Sequence, residues 1–138
     1  MLKVYKTENC SGEDNLNSYL ERVRHKPFEW GVHDCVQFTK GAVKAQINKD
    51  IELPHYDSIR GAISLCKTIC LVSELDKMFD RCNHIPPVGS IVAVEDTYRT
   101  STGPRLGVVV SDKAAFVSAT GLVFYKLKPE TDLYWIVT

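Results

Sequence analysis

The sequence has no excess of charge of either sign. Lysine and arginine together number 17, and aspartate and glutamate together also number 17, so the formal net charge is zero. Proteins that bind nucleic acid usually carry a basic surplus, and the balance therefore argues against a nucleic-acid partner. The chain also lacks an apolar run of membrane-spanning length, a repeat and a low-complexity segment. We therefore expect no membrane span.

The segment Met1–Lys6 lacks the apolar centre of a signal peptide. The cysteine count is five, an odd number that leaves at least one thiol without an intramolecular partner. Both features favour reduced thiols in a protein that is made in the cytoplasm.

The length of 138 residues suits one domain with a real core. We predict an N-terminal arm and helix over residues 1–26, a helical part carrying Cys35 over 27–85, and a sheet over 86–138. Apolar periodicity predicts helices over 14–24, 35–48, 58–69 and 72–79. A polar turn at 9–12 precedes the first of these. After a break rich in proline at 83–89, alternating patterns predict strands over 90–94, 106–110, 114–118, 122–127 and 133–137. The fold class is therefore α+β, with helices first and a small, curved antiparallel sheet or barrel last.

The motif at 27–38 contains the most distinctive chemistry. Asp34 is a good N-cap residue, and Gln37 three positions on completes a pair like a capping box. Cys35 then lies in the first turn of a helix, where backbone N–H groups and the helix dipole favour a thiolate. This placement suits a nucleophile, whereas the alternative is a buried cysteine that packs the helix start.

Three further segments stand out in the sequence: Trp30-Gly31-x-x-Asp34-Cys35-x-x-Phe38, Pro87-Val88-Gly89-Ser90-Ile91-Val92 and Leu106-Gly107-Val108-Val109-Val110. Together they resemble the NlpC-type branch of the papain-like cysteine peptidases, and most closely a small phage-borne group of unknown function encoded among tail genes. The resemblance implies a papain-like fold, with Cys35 as the nucleophile and Asp34 as its acidic neighbour. Members of the branch carry a histidine base where this chain has Arg105, and arginine stays protonated and cannot accept the thiol proton.

Two other histidines are candidate bases. His33 lies two residues before Cys35 and could fold back over the helix start, or it could simply shape the turn. His84 precedes the first predicted strand and could reach the same cleft, or it could face solvent. Trp30 and Arg105 are candidate substrate-binding residues, with a core anchor and a solvated loop as the respective alternatives.

A zinc site is a further alternative, built from Cys66, Cys70, Cys82 and His84. Their spacing is not a standard zinc pattern, and cysteines four apart on an apolar face usually belong to a core. We therefore expect no metal and no cofactor.

These observations lead to one preferred function and two alternatives. The preferred function is a structural protein of the phage tail, at the tail tip, in which catalysis is absent or weak. It would be made in the host cytoplasm, reside in the virion and bind other tail proteins. The first alternative is an active cysteine peptidase or amidase that cleaves peptidoglycan stem peptides during genome delivery. The second is a zinc-stabilised interaction module.

Overall fold

The computed structural model describes residues 12–94 and 104–138, with side chains from residue 15 onward. The predicted N-terminal arm lies outside these ranges. So do residues 95–103 of the segment 95–104, whose Thr, Ser, Gly and Pro content predicts a polar loop before the second strand. In the described part of the chain, no helix combines the length and apolarity needed to cross a bilayer.

Four helices lie in the first part of the described chain, as the periodicity predicts. Helix α1 begins at Gly12, which the sequence places in the preceding turn. Helix α4 ends before Phe79 and begins one residue earlier than predicted. The helices are α1 (Gly12–Val23), α2 (Cys35–Ile47), α3 (Ile59–Thr68) and α4 (Leu71–Met78).

The helix starts and faces follow from local chemistry. Ser58 caps α3, because its hydroxyl accepts a hydrogen bond from the Gly61 N–H at 3.1 Å. Helix α2 ends at Asn48, which adopts the left-handed conformation with φ 54° that asparagine tolerates better than most residues. The apolar stripe of α1 is buried against α2, as its spacing predicts; it consists of Leu16, Tyr19, Leu20 and Val23.

An open sheet of six antiparallel strands forms the rest of the described fold, in the order β1-β6-β2-β3-β4-β5. The five predicted strands are all present. The edges β1 and β5 are not paired with each other, so the sheet is not a closed barrel. The strands are β1 (Asp80–Cys82), β2 (Ile91–Ala93), β3 (Leu106–Val110), β4 (Lys113–Ser118), β5 (Gly121–Lys126) and β6 (Leu133–Ile136).

Strand β1 was not predicted, and it places a strand inside the part of the chain predicted to be helical. Its three residues include exposed Asp80 and Arg81, so no apolar alternation marks it. The strand is held by its neighbours: Arg81 binds the Asp76 carboxylate at 2.7 Å and lies over the Trp135 ring at 5.2 Å. The Trp135 indole N–H donates to the same carboxylate at 2.8 Å. Tertiary contacts, rather than the local sequence pattern, therefore determine that these three residues form a strand.

Both faces of the sheet carry buried apolar side chains. One face packs against the helices through residues such as Val108, Ala115 and Trp135. The opposite face, called here the outer face, has its own buried cluster that includes Val109, Phe116 and Tyr134. Helix α2 packs on strands β3 and β4, so its first residue, Cys35, faces the start of β3.

Candidate functional site

The start of α2 is organised by the carboxylate of Asp34, which is 1% exposed. One oxygen accepts the Gln37 N–H at 2.9 Å, which is the predicted N-cap bond. The other accepts the Gly31 N–H at 2.9 Å and the Tyr56 hydroxyl at 2.7 Å. Three donors from separate stretches of the chain therefore meet at one buried group, and Asp34 fixes the local structure around Cys35.

The loop before Asp34 needs a glycine. Gly31 has φ +77°, and a Cβ there would collide with the carbonyl oxygen of Tyr56. The loop is closed by backbone hydrogen bonds in both directions between Glu29 and His33, at 3.0 and 2.8 Å. The loop thus holds Tyr56 close to the beginning of α2.

The Cys35 sulfur contacts the backbone at the start of β3. Its thiol donates to the Pro104 carbonyl oxygen at 3.9 Å, and a backbone hydrogen bond from Leu106 also reaches the sulfur. Burial raises the pKa of this thiol to about 11, although Leu106 and the positive charge of Arg105 act in the opposite direction. The neutral thiol is therefore favoured, as expected for the alternative of a cysteine that packs the helix start. The desolvation of the charged form outweighs the stabilisation from the helix start.

A cavity of about 270 Å³ lies beside this sulfur and is called here the Cys35 cavity. It brings Cys35 together with both predicted substrate-binding residues, Trp30 and Arg105. The wall is mainly aromatic and aliphatic. Its other described members are Phe28, Asp34, Val36, Tyr56, Ala62, Leu65, Cys66, Leu71, Pro104 and Val117.

Arg105 connects this cavity to the outer face of the sheet. Its guanidinium carbon lies 4.6 Å from the centre of the Phe116 ring and 5.4 Å from that of Tyr125. Both rings belong to the outer face, and Arg105 lines a pocket on each side. Arg105 thus lines the same cavity as Cys35, and its guanidinium is stacked on aromatic rings.

The two candidate bases are not among the described residues that line the Cys35 cavity. His33 is 3% exposed and packs edge-on against Phe38, with 6.1 Å between ring centres. Its Nε2 atom has no hydrogen-bond partner among the described residues. Burial and the charge of Lys26 lower the pKa of His33, so the ring is neutral near pH 7. His33 therefore shapes the turn, which was the alternative prediction for it.

His84 is exposed and lies near the edge strand β1. Its Nδ1 atom is 3.8 Å from the Cys82 sulfur. Of the other two residues proposed as zinc ligands, Cys66 lines the Cys35 cavity and exposed Cys70 precedes α4. Among residues 12–94 and 104–138, no group of three or more histidine, cysteine or acidic side chains is arranged to hold a metal ion. The described geometry thus gives the zinc alternative no ligand set.

Sequence reasoning missed two members of the site. Tyr56 lies between the second and third predicted helices, and nothing in its surroundings signals that its hydroxyl binds Asp34. Burial and the adjacent Asp34 carboxylate raise the pKa of this hydroxyl, which therefore stays protonated and donates. Pro104 ends the predicted polar loop, and its contact with Cys35, 69 positions away, forms only in the folded chain.

Residues 10–137 match the family described as a domain of unknown function, DUF6950. The chain belongs to the DUF6950 family. The match extends from before α1 to the end of β6, so in this DUF6950 member it includes the Cys35 motif and the strands that face it. No curated protein and no solved structure matches the chain.

Proposed function

We propose that this protein is a structural component of a phage tail, at the tail tip, built on an NlpC-type papain-like fold whose catalysis is absent or weak. Its partners are other tail proteins, and it resides in the virion. The assignment to the tail depends on the resemblance of the three segments to the phage-borne group. The assignment to a degenerate fold depends on the geometry around Cys35.

The arrangement of elements supports the papain-like part of the proposal. A cysteine begins a helix, and that helix packs on the strand that begins at Leu106. Arg105, the residue before that strand, lines the same cavity as Cys35. This is the proximity that the resemblance requires between the nucleophile and the base positions, although 70 residues separate them in the sequence (105 less 35).

The observation that carries the loss of catalysis is the state of the Cys35 thiol. It donates to the Pro104 carbonyl oxygen, and its pKa is raised to about 11. A nucleophilic cysteine needs its thiolate, and amide cleavage also needs an acid to protonate the leaving amine. Among the described residues that line the cavity there is no imidazole to serve either purpose. A neutral, hydrogen-bonded thiol favours a packing role.

Mass spectrometry of purified virions tests the tail assignment. We expect the protein in particles of the phage that encodes it, enriched in isolated tails over isolated heads. Lysate proteins of similar abundance serve as controls for carry-over. Its absence from particles would contradict the structural role.

A peptidase remains the second candidate function, because the Cys35 cavity lies directly beside the sulfur. Release of stem-peptide fragments from purified peptidoglycan is the assay, with Cys35→Ala as the matched control. We expect no difference between the two proteins. Hydrolysis by the unmodified protein that disappears in Cys35→Ala would favour the enzyme instead.

Substitution of Arg105 tests the proposed kinship itself. Arg105→His introduces an imidazole at the position of the base, whereas Arg105→Gln removes the charge without supplying one. We expect faster alkylation of Cys35 at neutral pH in Arg105→His than in Arg105→Gln, because an imidazolium next to the sulfur stabilises the thiolate. Equal rates in the two variants would contradict the papain-like correspondence.

A further inference from the structure

The strand β5 forms one edge of the sheet, and its exposure rises along its length. Gly121 at its start is buried, whereas Phe124, Tyr125 and Lys126 at its end are exposed. We propose that the end of β5 binds an extended, acidic segment of a partner protein as an additional antiparallel strand. This inference goes beyond the tail assignment and does not depend on it. It depends on main-chain groups that point outward, on a pair of facing lysines and on an apolar groove.

The register of the sheet shows which main-chain groups of β5 point away from β4. The Leu122 N–H donates to the Arg24 carbonyl oxygen at 2.9 Å, outside the sheet. Because main-chain groups alternate in direction along a strand, those of Phe124 and Lys126 point to the same side as those of Leu122. Among the described residues, no main-chain hydrogen bond from outside the sheet reaches these two. The start of the edge is thus closed by Arg24, and its end is available to another strand.

Two lysines face each other beside this open edge. Lys126 lies directly across from Lys113 on β4. The two residues form a pair without main-chain hydrogen bonds between them, in which side chains approach most closely. Both are exposed, and neither forms an ion pair within the described ranges. Like charges directly opposite each other destabilise a sheet, and a carboxylate supplied by an added strand would offset this repulsion.

An apolar groove of about 300 Å³ lies on the helix side of β5, between this strand and α1. Its apolar lining consists of Leu20, Val110, Leu122 and Phe124, of which Phe124 is 47% exposed. Phe124 and Lys126 are two positions apart, so their side chains lie on the same face of the sheet. In an antiparallel pairing, the residue across from Lys126 comes two positions before the residue across from Phe124. The expected partner segment is therefore acidic-x-apolar, with its apolar side chain in the groove.

A second copy of this chain fits the edge less well than an acidic segment does. Two β5 edges joined about a two-fold axis would bring Lys113 and Lys126 of both copies together. The exposed part of the strand is three residues long, which is a short contact for a stable dimer. The charged residues of the groove, Glu21 and Arg24, pair with each other at 3.5 Å. The two lysines therefore determine the charge of the expected partner.

Binding of short peptides to the ¹⁵N-labelled protein, followed by nuclear magnetic resonance, tests the proposal. The probe is acetyl-Thr-Glu-Thr-Leu-Thr-amide, and acetyl-Thr-Gln-Thr-Leu-Thr-amide is its neutral match. We expect the acidic peptide to shift the amides of Phe124 and Lys126. It should bind about fivefold more tightly than the neutral peptide, since partly exposed ion pairs are individually weak.

Methylated peptides test the main-chain pairing. Methylation of the leucine nitrogen removes a donor that faces β5, so binding should weaken about fivefold. Methylation of the nitrogen of the middle threonine is the matched control, because that N–H points away from β5. We expect the control peptide to bind as the unmethylated one does. Equal affinities of the two methylated peptides would contradict strand addition.

The double variant Lys113→Gln, Lys126→Gln tests the charge. Lys49→Gln, Lys67→Gln is its matched control, because these two lysines follow α2 and lie in α3, away from β5. We expect the preference for the acidic peptide to disappear in the first variant and to persist in the second. Lys113→Gln alone should also raise the urea midpoint of the free protein, because it removes the repulsion across β4 and β5. Folding of each variant is read from the same spectra.

Five results would overturn the proposal. Three concern the peptides: no shifts with the acidic peptide, equal binding of the neutral one, or an unchanged preference in the Lys113, Lys126 double variant. Shifts of the Phe124 and Lys126 amides when the free protein is diluted would assign the edge to a second copy instead. Slow hydrogen exchange of these two amides in the dilute free protein would assign it to another segment of the same chain.

Discussion

Replacement of Asp34 by alanine should destabilise the protein by about 3 to 4 kcal/mol. The lost N-cap bond to Gln37 costs about 1 kcal/mol. The bond from the Gly31 N–H contributes about 1 kcal/mol more. The buried Tyr56 hydroxyl loses a charged acceptor at 2.7 Å, which costs about 1.5 kcal/mol. This total is a large fraction of the stability of an ordinary domain.

Urea unfolding followed by circular dichroism measures this loss, provided that the slope of the transition is unchanged. Asp34→Asn is the matched variant, because it keeps the volume and one carbonyl oxygen. It should cost about half as much as Asp34→Ala. The same assay on Tyr56→Phe completes a double-mutant cycle. We expect the double variant Asp34→Ala, Tyr56→Phe to lose about 1 to 2 kcal/mol less than the two single losses together.

Two results would refute this reasoning. A loss below about 1 kcal/mol in Asp34→Ala would mean that the three hydrogen bonds do not hold the helix start. Additive losses in the cycle would mean that Asp34 and Tyr56 do not act through each other. Either result would return Asp34 to the role of an acidic neighbour of a nucleophile, which the resemblance to the peptidases implies.

Three further predictions concern the same region. Burial lowers the pKa of His33 below 6.5, so the unfolded state binds a proton at a higher pH than the folded state does. The urea midpoint should therefore fall as the pH drops from 6.5 towards 5. The fall should be smaller in His33→Phe. Gly31→Ala should lower the midpoint by the equivalent of about 3 kcal/mol, because φ is +77° and the Tyr56 carbonyl blocks a Cβ; an unchanged midpoint would contradict this conformation. In a Cys10→Ser background, iodoacetamide at pH 8 should label Cys70 well before Cys35, as shown by peptide mass spectrometry. Hydrogen bonds from Ser73 lower the pKa of the exposed Cys70 thiol, whereas burial raises that of Cys35 to about 11; equal rates would contradict it.

Local signals were sufficient to predict most of the fold. The Asp34 cap and the apolar stripe of α1 are determined by residues three or four positions apart, and both are as predicted. The strands predicted after Pro87 are also present, although β2 and β3 are buried on both faces and appear in the sequence as short apolar runs rather than as alternation. Strand β1 had no such pattern. It exists because Arg81 and Trp135 share the Asp76 carboxylate, and that contact requires the finished fold.

The site was harder to predict, because its chemistry depends on burial. The sequence correctly places Cys35 at the first residue of a helix. It does not reveal how deeply the sulfur is buried. Burial raises the pKa of the Cys35 thiol, whereas the helix start alone would lower it. Arg105 and Trp30 were candidates from their motifs, and both line the same cavity as Cys35. Tyr56 was not found, because a tyrosine in a polar segment gives no sign of its partner.

The hydrogen-bond partners of the Cys35 thiol determine which side chains can replace it. Its partners at the start of β3 are the Pro104 carbonyl and the Leu106 N–H, main-chain groups that do not depend on a particular side chain, except that proline has no N–H. Serine has the same shape, gives one hydrogen bond and accepts another. A Cys35→Ser exchange therefore keeps a donor and an acceptor at this position, but the Pro104 carbonyl oxygen, 3.9 Å from the sulfur, is too distant for a hydroxyl, so the backbone at the start of β3 has to move towards it.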